Sequence, residues 1–134
     1  MQHTSTSHSF GMPWERRYGY AQAIQAGPTL YISGQLSHDM DANIVGEGDF
    51  ELQVRTTFAN LDRILESYGA HRNQVVQTTV YVKDLRRRFD EIARLHAEYF
   101  GEHRPTSTVL GVVDLAEPLQ LVEIAAVAVI PERL

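Results

Sequence analysis

Glu123 is the only polar residue in an apolar run over residues 121–130, which reads Leu-Val-Glu-Ile-Ala-Ala-Val-Ala-Val-Ile. If this run is a strand, alternate residues face opposite sides, and both sides are largely buried. A buried carboxylate must be hydrogen-bonded, protonated or used in a reaction, because water no longer solvates its charge. The position therefore predicts either a reactive carboxylate or a Glu near the strand end that reaches water or a structural arginine.

His96 is the second candidate, because it interrupts an apolar stripe that recurs at helical spacing. The stripe consists of Leu85, Phe89, Ile92, His96 and Tyr99. A neutral imidazole and a buried carboxylate together form an acid/base pair that works near neutral pH. A histidine on an apolar helix face is also a common core residue whose ring nitrogens are satisfied. The sequence therefore predicts either a proton carrier for Glu123 or a packed histidine.

Three further positions carry groups suited to contacting a substrate. Glu15 lies beside Trp14, and its alternative role is that of a surface Glu at the entry to a strand. Tyr20 offers a hydrogen-bond donor or a stacking ring, although an aromatic residue in a strand usually serves packing. Residues 106–108, Thr-Ser-Thr, place three hydroxyls at a strand start, where they bind a carboxylate or cap loop backbone groups.

The composition excludes several other chemistries. The chain has no cysteine, which rules out disulfides, thiolate metal sites and a cysteine nucleophile. Its histidines lack the spacing of a metal motif, so we expect no metal. The sequence also lacks a G-x-S-x-G nucleophile elbow, a P-loop and a dinucleotide fingerprint.

Charge and hydropathy limit the partners. A net charge of −5 argues against nucleic-acid binding, and the run Arg86-Arg87-Arg88 is typical of a solvated helix face. The apolar stretches are shorter than the roughly 20 residues of a membrane helix, and the N-terminus lacks a signal-peptide pattern. We therefore expect a cytoplasmic protein with a small-molecule or protein partner and no membrane contact.

Apolar periodicity and turn residues predict five strands and two helices in the order ββαβαββ. Hairpins at both ends predict an α+β fold with a mixed sheet and both helices on one face. A length of 134 residues fits a single domain over residues 13–134, preceded by a flexible arm over residues 1–12. The predicted strands lie at residues 18–24, 30–33, 75–82, 106–113 and 119–130, and the predicted helices start near Asp49 and Leu85 and stop at Gly69 and Gly101.

Five segments, in this order, resemble the Rid family of reactive-intermediate deaminases, also called the YjgF family. They are Gly-Tyr-Ala-Gln-Ala at 19–23, Leu-Tyr-Ile-Ser-Gly-Gln at 30–35, Val-Tyr-Val-Lys-Asp at 80–84, Arg-Pro at 104–105 and Leu-Val-Glu-Ile at 121–124. The resemblance extends over about residues 14–130, and five ordered segments are far more specific than one short motif.

The resemblance implies a chorismate-mutase-like α+β fold assembled as a homotrimer, with sites in the clefts between subunits. A trimer that buries its sheets against one another would explain strands that are apolar on both faces. The best-known activity of the family is hydrolysis of enamines and imines, such as 2-aminoacrylate, to a keto acid and ammonia. The resemblance implies that this reaction needs no cofactor.

The resemblance also assigns site residues by position. Tyr20 matches the family's cleft tyrosine, and Ser33 and Gly34 match the loop whose backbone approaches the ligand. Glu123 matches the carboxylate that orients water.

Three positions depart from the family pattern. Ser107 stands where active members carry the arginine that binds the substrate carboxylate. Ala93 replaces a frequent asparagine, and His96 replaces a tyrosine. A neutral hydroxyl cannot substitute for the bidentate guanidinium. The chain most resembles a subgroup with Trp14-Glu15 ahead of the first strand and a histidine at the His96 position, and this subgroup lacks the arginine as well.

The sequence therefore predicts a Rid-like enamine or imine deaminase in which Glu123 is the general base and His96 carries a proton to the departing amine. Tyr20, Ser107 and Thr108 would orient the substrate. The alternative is a non-catalytic trimer that binds or senses a small ligand. A weaker alternative is an endoribonuclease, which the acidic charge disfavours.

Overall fold

The computed structural model describes residues 6–130, which form one six-stranded sheet covered on one side by two long helices. The strands are β1 (Thr6–His8), β2 (Ala23–Ala26), β3 (Thr29–Gln35), β4 (Val75–Lys83), β5 (Thr106–Val112) and β6 (Val122–Val129). The helices are α1 (Pro13–Tyr18), α2 (Phe50–Ser67) and α3 (Leu85–Phe100), with a 3₁₀ turn at Arg72–Gln74. Within residues 6–130, every helix is too short or too polar to cross a membrane.

The strand order β1-β2-β3-β6-β4-β5 places β6 in the middle of the sheet. The predicted hairpin between the last two strands is wrong, because β6 pairs with β3 and β4 rather than with β5. Strand β5 instead pairs in parallel with β4. The reason is that α3 carries the chain back across the sheet, which is the crossover that a parallel pair requires. The apolar β6 then takes a central position, where both of its edges are paired.

Helices α2 and α3 pack on one face of the sheet, as predicted. Asp49 caps α2, since its side chain accepts a hydrogen bond from the backbone N–H of Leu52 at 3.1 Å. The core combines Leu30, Ile32, Val80, Val82, Val122 and Ile124 from the strands with Val54, Phe58, Leu61, Ile92 and Leu95 from the helices. The predicted mixed sheet with two covering helices is therefore confirmed.

The opposite side of the sheet, which we call the open face, is covered by neither of the long helices α2 and α3. Tyr31, Leu110 and Val129 alternate with core positions, and these three residues are 54%, 43% and 41% exposed. Glu123 belongs to the same side, because its neighbours Val122 and Ile124 are fully buried under the helices. Strand alternation thus sets Glu123 on the side of the sheet that has large exposed apolar side chains and lies away from α2 and α3.

The N-terminal region differs from the prediction over residues 18–24. Residues Pro13–Tyr18 form α1, and the strand begins only at Ala23. Proline favours the first helical turn, and Gly19 ends the helix with a φ of +83°. In the predicted flexible arm, residues 6–8 pair with β2, whereas residues 1–5 lie outside the described residues.

The carboxylate of Glu15 organises the start of α1. Its oxygens accept hydrogen bonds from the Ser9 hydroxyl at 2.5 Å and from the backbone N–H groups of Met12 at 2.9 Å and Phe10 at 3.2 Å. Burial alone raises the pKa of Glu15, but these hydrogen bonds outweigh it, so that the net pKa lies below its usual value. Glu15 therefore holds the turn that precedes α1 and does not line the cleft beside Glu123, and the substrate contact predicted for it stays a prediction.

We expect Glu15→Gln to lower the free energy of unfolding by about 1–2 kcal/mol near neutral pH, because an amide accepts these bonds more weakly than a carboxylate. A lowered folded-state pKa stabilises the protein above the unfolded-state pKa of about 4.3, and this stabilisation disappears as pH falls through the folded pKa. Urea unfolding of both proteins should therefore show a gap at pH 7 that closes in acid. The exposed Glu66→Gln is the matched control, and an equal effect of both substitutions would contradict the assignment.

Candidate functional site

A cleft of about 560 Å³ lies beside Glu123, between α1, the end of β3 and the turn that precedes β6. This volume falls within the range typical of small-molecule sites. We call it the Glu123 cleft, and its lining residues are Trp14, Tyr18, Tyr20, Ser33, Gly34, Leu36, Ala116, Glu117, Gln120 and Glu123.

Gln120 holds the Glu123 carboxylate in place. The amide nitrogen of the Gln120 side chain donates to Oε1 of Glu123 at 3.2 Å and to the backbone carbonyl of Val122 at 3.1 Å. Its amide oxygen accepts from the backbone N–H of Glu117 at 3.3 Å. Gln120 is buried, and Glu123 has no ion pair within residues 6–130. The predicted alternative of a structural arginine partner therefore finds no support among these residues.

Gly34 lets the carboxylate reach the cleft. The register between β3 and β6 shifts between Ile32 and Gln35, and Gly34 lies inside this irregularity. A Cβ atom added at Gly34 would lie 2.6 Å from Cδ and 2.8 Å from Cγ of Glu123. Since such contacts are closer than van der Waals distance, any side chain at position 34 would displace Glu123.

Tyr20 and Ser33 line the cleft as predicted, but they have different roles. The Ser33 hydroxyl donates to the backbone carbonyl of Ala21 at 2.7 Å, so it joins β3 to the segment after α1. Burial, followed by the negative charges of Glu15 and Glu123, raises the pKa of Tyr20. Tyr20 therefore stays neutral near pH 7 and offers its hydroxyl as a hydrogen-bond donor.

The structure adds cleft residues that sequence reasoning missed. Trp14 and Tyr18 lie on α1, where they form an aromatic wall with Tyr20, and Gln120 and Glu117 come from the turn before β6. A Gln three residues before a buried Glu is a signal available in the sequence for Gln120. The aromatic wall required knowledge of α1, because residues four apart are neighbours on a helix surface, whereas a strand would hold Trp14 and Tyr18 about 13 Å apart.

His96 and Ser107 line a separate cavity of about 280 Å³ between α3 and β5, which we call the His96 pocket. Nε2 of His96 lies 2.9 Å from the Thr78 hydroxyl, which donates to the Ser107 hydroxyl at 2.8 Å. Burial lowers the pKa of His96, so the ring is neutral near pH 7. The imidazole is thus hydrogen-bonded and half-buried, and no structural cation lies against it among the described residues.

The sheet separates His96 from Glu123 of the same chain. Thr78 of β4, which contacts His96, is buried on the helix-covered side of the sheet. Tyr81 lies three residues later in β4 and is paired with Glu123 of β6, so these two residues face the other side. Alternate strand residues face opposite sides, so the predicted proton transfer between His96 and Glu123 cannot take place within one chain. Thr108 follows Ser107 on β5 and is exposed outside both cavities.

Within residues 6–130, no three His, Asp or Glu side chains gather as metal ligands would. The chemistry that the cleft offers is therefore that of a carboxylate without a cationic partner, a neutral phenol and an aromatic wall. This set can accept a proton from water and donate a hydrogen bond to a polar substrate atom.

We expect Gly34→Ala to lower the free energy of unfolding by about 1–3 kcal/mol through overpacking. In the Glu123→Ala background the obstructing carboxylate is gone, so Gly34→Ala should lower the free energy of unfolding much less. Urea unfolding of the wild type, the two single variants and the double variant measures this coupling. Gly111→Ala, also in the sheet, is the control and should show no coupling to Glu123. An equal cost of Gly34→Ala in both backgrounds would refute the close approach.

Similar proteins confirm the family suggested by the sequence. Residues 14–130 match the family model for endoribonuclease L-PSP. A RutC family protein of Pyrococcus horikoshii is 38% identical over 109 residues, which cover 81% of this chain and 85% of the relative. A 2-iminobutanoate/2-iminopropanoate deaminase of Dermatophagoides farinae is 29% identical over 111 residues, covering 83% of this chain and 85% of that protein.

Solved structures confirm the chorismate-mutase-like fold. A YjgF/YER057c/UK114 family member from Mycobacterium tuberculosis superposes with a TM-score of 0.84 at 31% identity, covering 95% of this chain and 100% of that one. RidA from an Antarctic Psychrobacter gives a TM-score of 0.76 at 30% identity, covering 83% and 88%. Sequence and fold agree over most of the chain, which therefore belongs to the endoribonuclease L-PSP family, also known as the YjgF, RutC or Rid family.

Proposed function

We propose that this protein hydrolyses the C=N bond of small imines, or of the enamines in equilibrium with them, in a cleft completed by a second copy of the chain. The observation that carries the proposal is the Glu123 carboxylate, which is held by Gln120, lacks an ion pair among the described residues and opens into a cavity. The relative from Dermatophagoides farinae, which is named as a 2-iminobutanoate/2-iminopropanoate deaminase, supports this class of reaction.

Glu123 acts as the general base in this proposal. Its carboxylate takes a proton from a water molecule in the cleft while the water oxygen adds to the imine carbon. Because Glu123 has no ion pair among the described residues, no cation occupies the carboxylate oxygens that must meet the water. The tetrahedral carbinolamine then expels ammonia and leaves a carbonyl product.

Tyr20 positions the substrate through its neutral hydroxyl. The phenol donates a hydrogen bond to a substrate oxygen or to the oxygen of the carbinolamine. Ser33 keeps the segment after α1 attached to β3 through its bond to Ala21, so it supports Tyr20 rather than contacting the substrate.

A second copy would supply the His96 pocket. Strand β5 is the last strand of the sheet among the described residues, so one edge of it is free to meet another chain. The open face carries exposed Tyr31, Leu110 and Val129, which a homotrimer would bury. In that assembly His96 and Ser107 of one protomer face the Glu123 cleft of its neighbour, and His96 accepts or donates the proton that accompanies departure of the amine.

We expect Glu123→Gln to lower the rate of ammonia release from imines by about 10²–10⁴-fold, because the amide retains the hydrogen bond to Gln120 but cannot take a proton. Imines generated in situ by oxidation of the parent amines provide the assay. The Glu123→Gln variant should match the wild type in its molar mass by light scattering and in its urea unfolding. The exposed control Glu102→Gln should match the wild type in activity. Undiminished turnover by Glu123→Gln would refute the mechanism, and a wild type that binds without turnover would favour a ligand-binding trimer.

We expect Ser107→Arg to raise hydrolysis of imines that carry an α-carboxylate by about tenfold or more, because a guanidinium binds a carboxylate in a bidentate geometry. Ser107→Gln is the control for side-chain length and should give no such gain. The ratio of kcat/KM for a carboxylated imine to that for an uncharged imine is the measurement. An unchanged ratio would mean that position 107 does not reach the substrate.

A further inference from the structure

The Glu123 cleft is lined by acidic side chains and by no basic ones. Its ten lining residues include two carboxylates, Glu117 and Glu123, and no lysine or arginine. Neither carboxylate has an ion pair within residues 6–130, where the arginines that form ion pairs contact acidic groups of α2, α3 and the residue that precedes α3. The cleft therefore carries a negative potential that attracts cations and repels anions.

Aromatic rings line the same cleft as these carboxylates. Trp14, Tyr18 and Tyr20 line the cleft, and the rings of Tyr18 and Tyr20 lie 5.7 Å apart at an angle of 66°. Aromatic faces attract a cation through the quadrupole of the ring, and this attraction strengthens as the site loses water. An aromatic wall next to unpaired carboxylates is the arrangement that binds ammonium groups.

Trp14 contributes one further polar atom. Its Nε1 is buried and makes no well-aligned hydrogen bond among the described residues, although it is close enough to the Tyr20 hydroxyl to offset, as a weak donor, part of the rise that burial causes in the pKa of Tyr20. A buried donor without a well-aligned partner is costly, so a ligand with an acceptor atom would be stabilised there. A carbonyl, hydroxyl or ether oxygen near the cationic end of the ligand meets this requirement.

The groups that a second copy would bring are also uncharged. Ser107 offers a hydroxyl that already accepts a hydrogen bond from Thr78. His96 is the titratable residue among those that line the His96 pocket, and burial lowers its pKa. The assembled site would thus contain no fixed positive charge from either the Glu123 cleft or the His96 pocket.

We propose that this cleft selects a small cationic substrate, a protonated imine or amine that bears an oxygen acceptor and no carboxylate. This inference rests on the proposed function, because it names the substrate class of the same site. The corresponding reaction is R₂C=NH₂⁺ + H₂O → R₂C=O + NH₄⁺, in which the C=N bond breaks, a C=O bond forms and the nitrogen leaves with the positive charge.

Binding can be tested without turnover, because Trp14 is the only tryptophan of the chain and lines the cleft. Three probes of nearly equal shape differ in charge: choline is a cation, 3,3-dimethylbutan-1-ol is neutral and 3,3-dimethylbutanoate is an anion. The full-length protein is titrated with each probe at constant ionic strength while Trp14 fluorescence is recorded. We expect choline to bind about tenfold more tightly than the neutral alcohol, and the anion to bind most weakly.

Variants identify the source of the selectivity. Glu117→Gln should reduce the preference for choline over the alcohol by about threefold or more, whereas the exposed Glu102→Gln should leave it unchanged. A fluorescence response to choline no stronger than that to the alcohol, including no response at all, would overturn the proposal. So would tighter binding of the anion. Because these readings require no catalysis, failure of cation binding is distinguishable from failure of the deaminase proposal.

Discussion

The placement of the Glu123 carboxylate against Gly34 constrains the rest of the site. Strand β6 is apolar enough to occupy the centre of the sheet, where a charged side chain is expensive to bury. Within residues 6–130 the carboxylate is accommodated without a cation, because the irregular register of β3 and the missing side chain at Gly34 open a space and Gln120 supplies a hydrogen bond. The carboxylate is thus held in place by an amide and opens into the cleft, which is the arrangement that the proposed hydrolysis of an imine uses.

The same strand alternation divides the chemistry between two faces. Glu123 and the aromatic wall belong to the Glu123 cleft, while His96 of α3 and Ser107 of β5 line a pocket on the other side of the sheet. In the proposed trimer, β5 of one protomer would bring its His96 pocket to the neighbour's Glu123. The exposed apolar residues of the open face would then be buried by the same contacts that complete the site.

Sequence patterns predicted much of this molecule because long apolar periods determine which face of an element is buried. The stripes of α2 and α3, the strand of residues 122–129 and the isolation of Glu123 in it all have a direct physical signal. No sequence pattern indicated which strand pairs with β5, because this pairing depends on where α3 brings the chain back to the sheet. Helix α1 was missed because residues 18–24 look like a strand, whereas Pro13 and the bonds to Glu15 start a helix five residues earlier.

A mixed-oligomer experiment tests most directly whether the site combines Glu123 of one chain with the His96 pocket of another. Chains carrying Glu123→Gln are refolded together with an equal amount of chains carrying Ser107→Trp, which fills the His96 pocket. Neither variant should be active alone. Random assembly should restore about a quarter of wild-type activity, because one cleft in four then joins an intact Glu123 to an intact position 107 of its neighbour. Activity no higher than that of the two separate variants would contradict a site shared between copies.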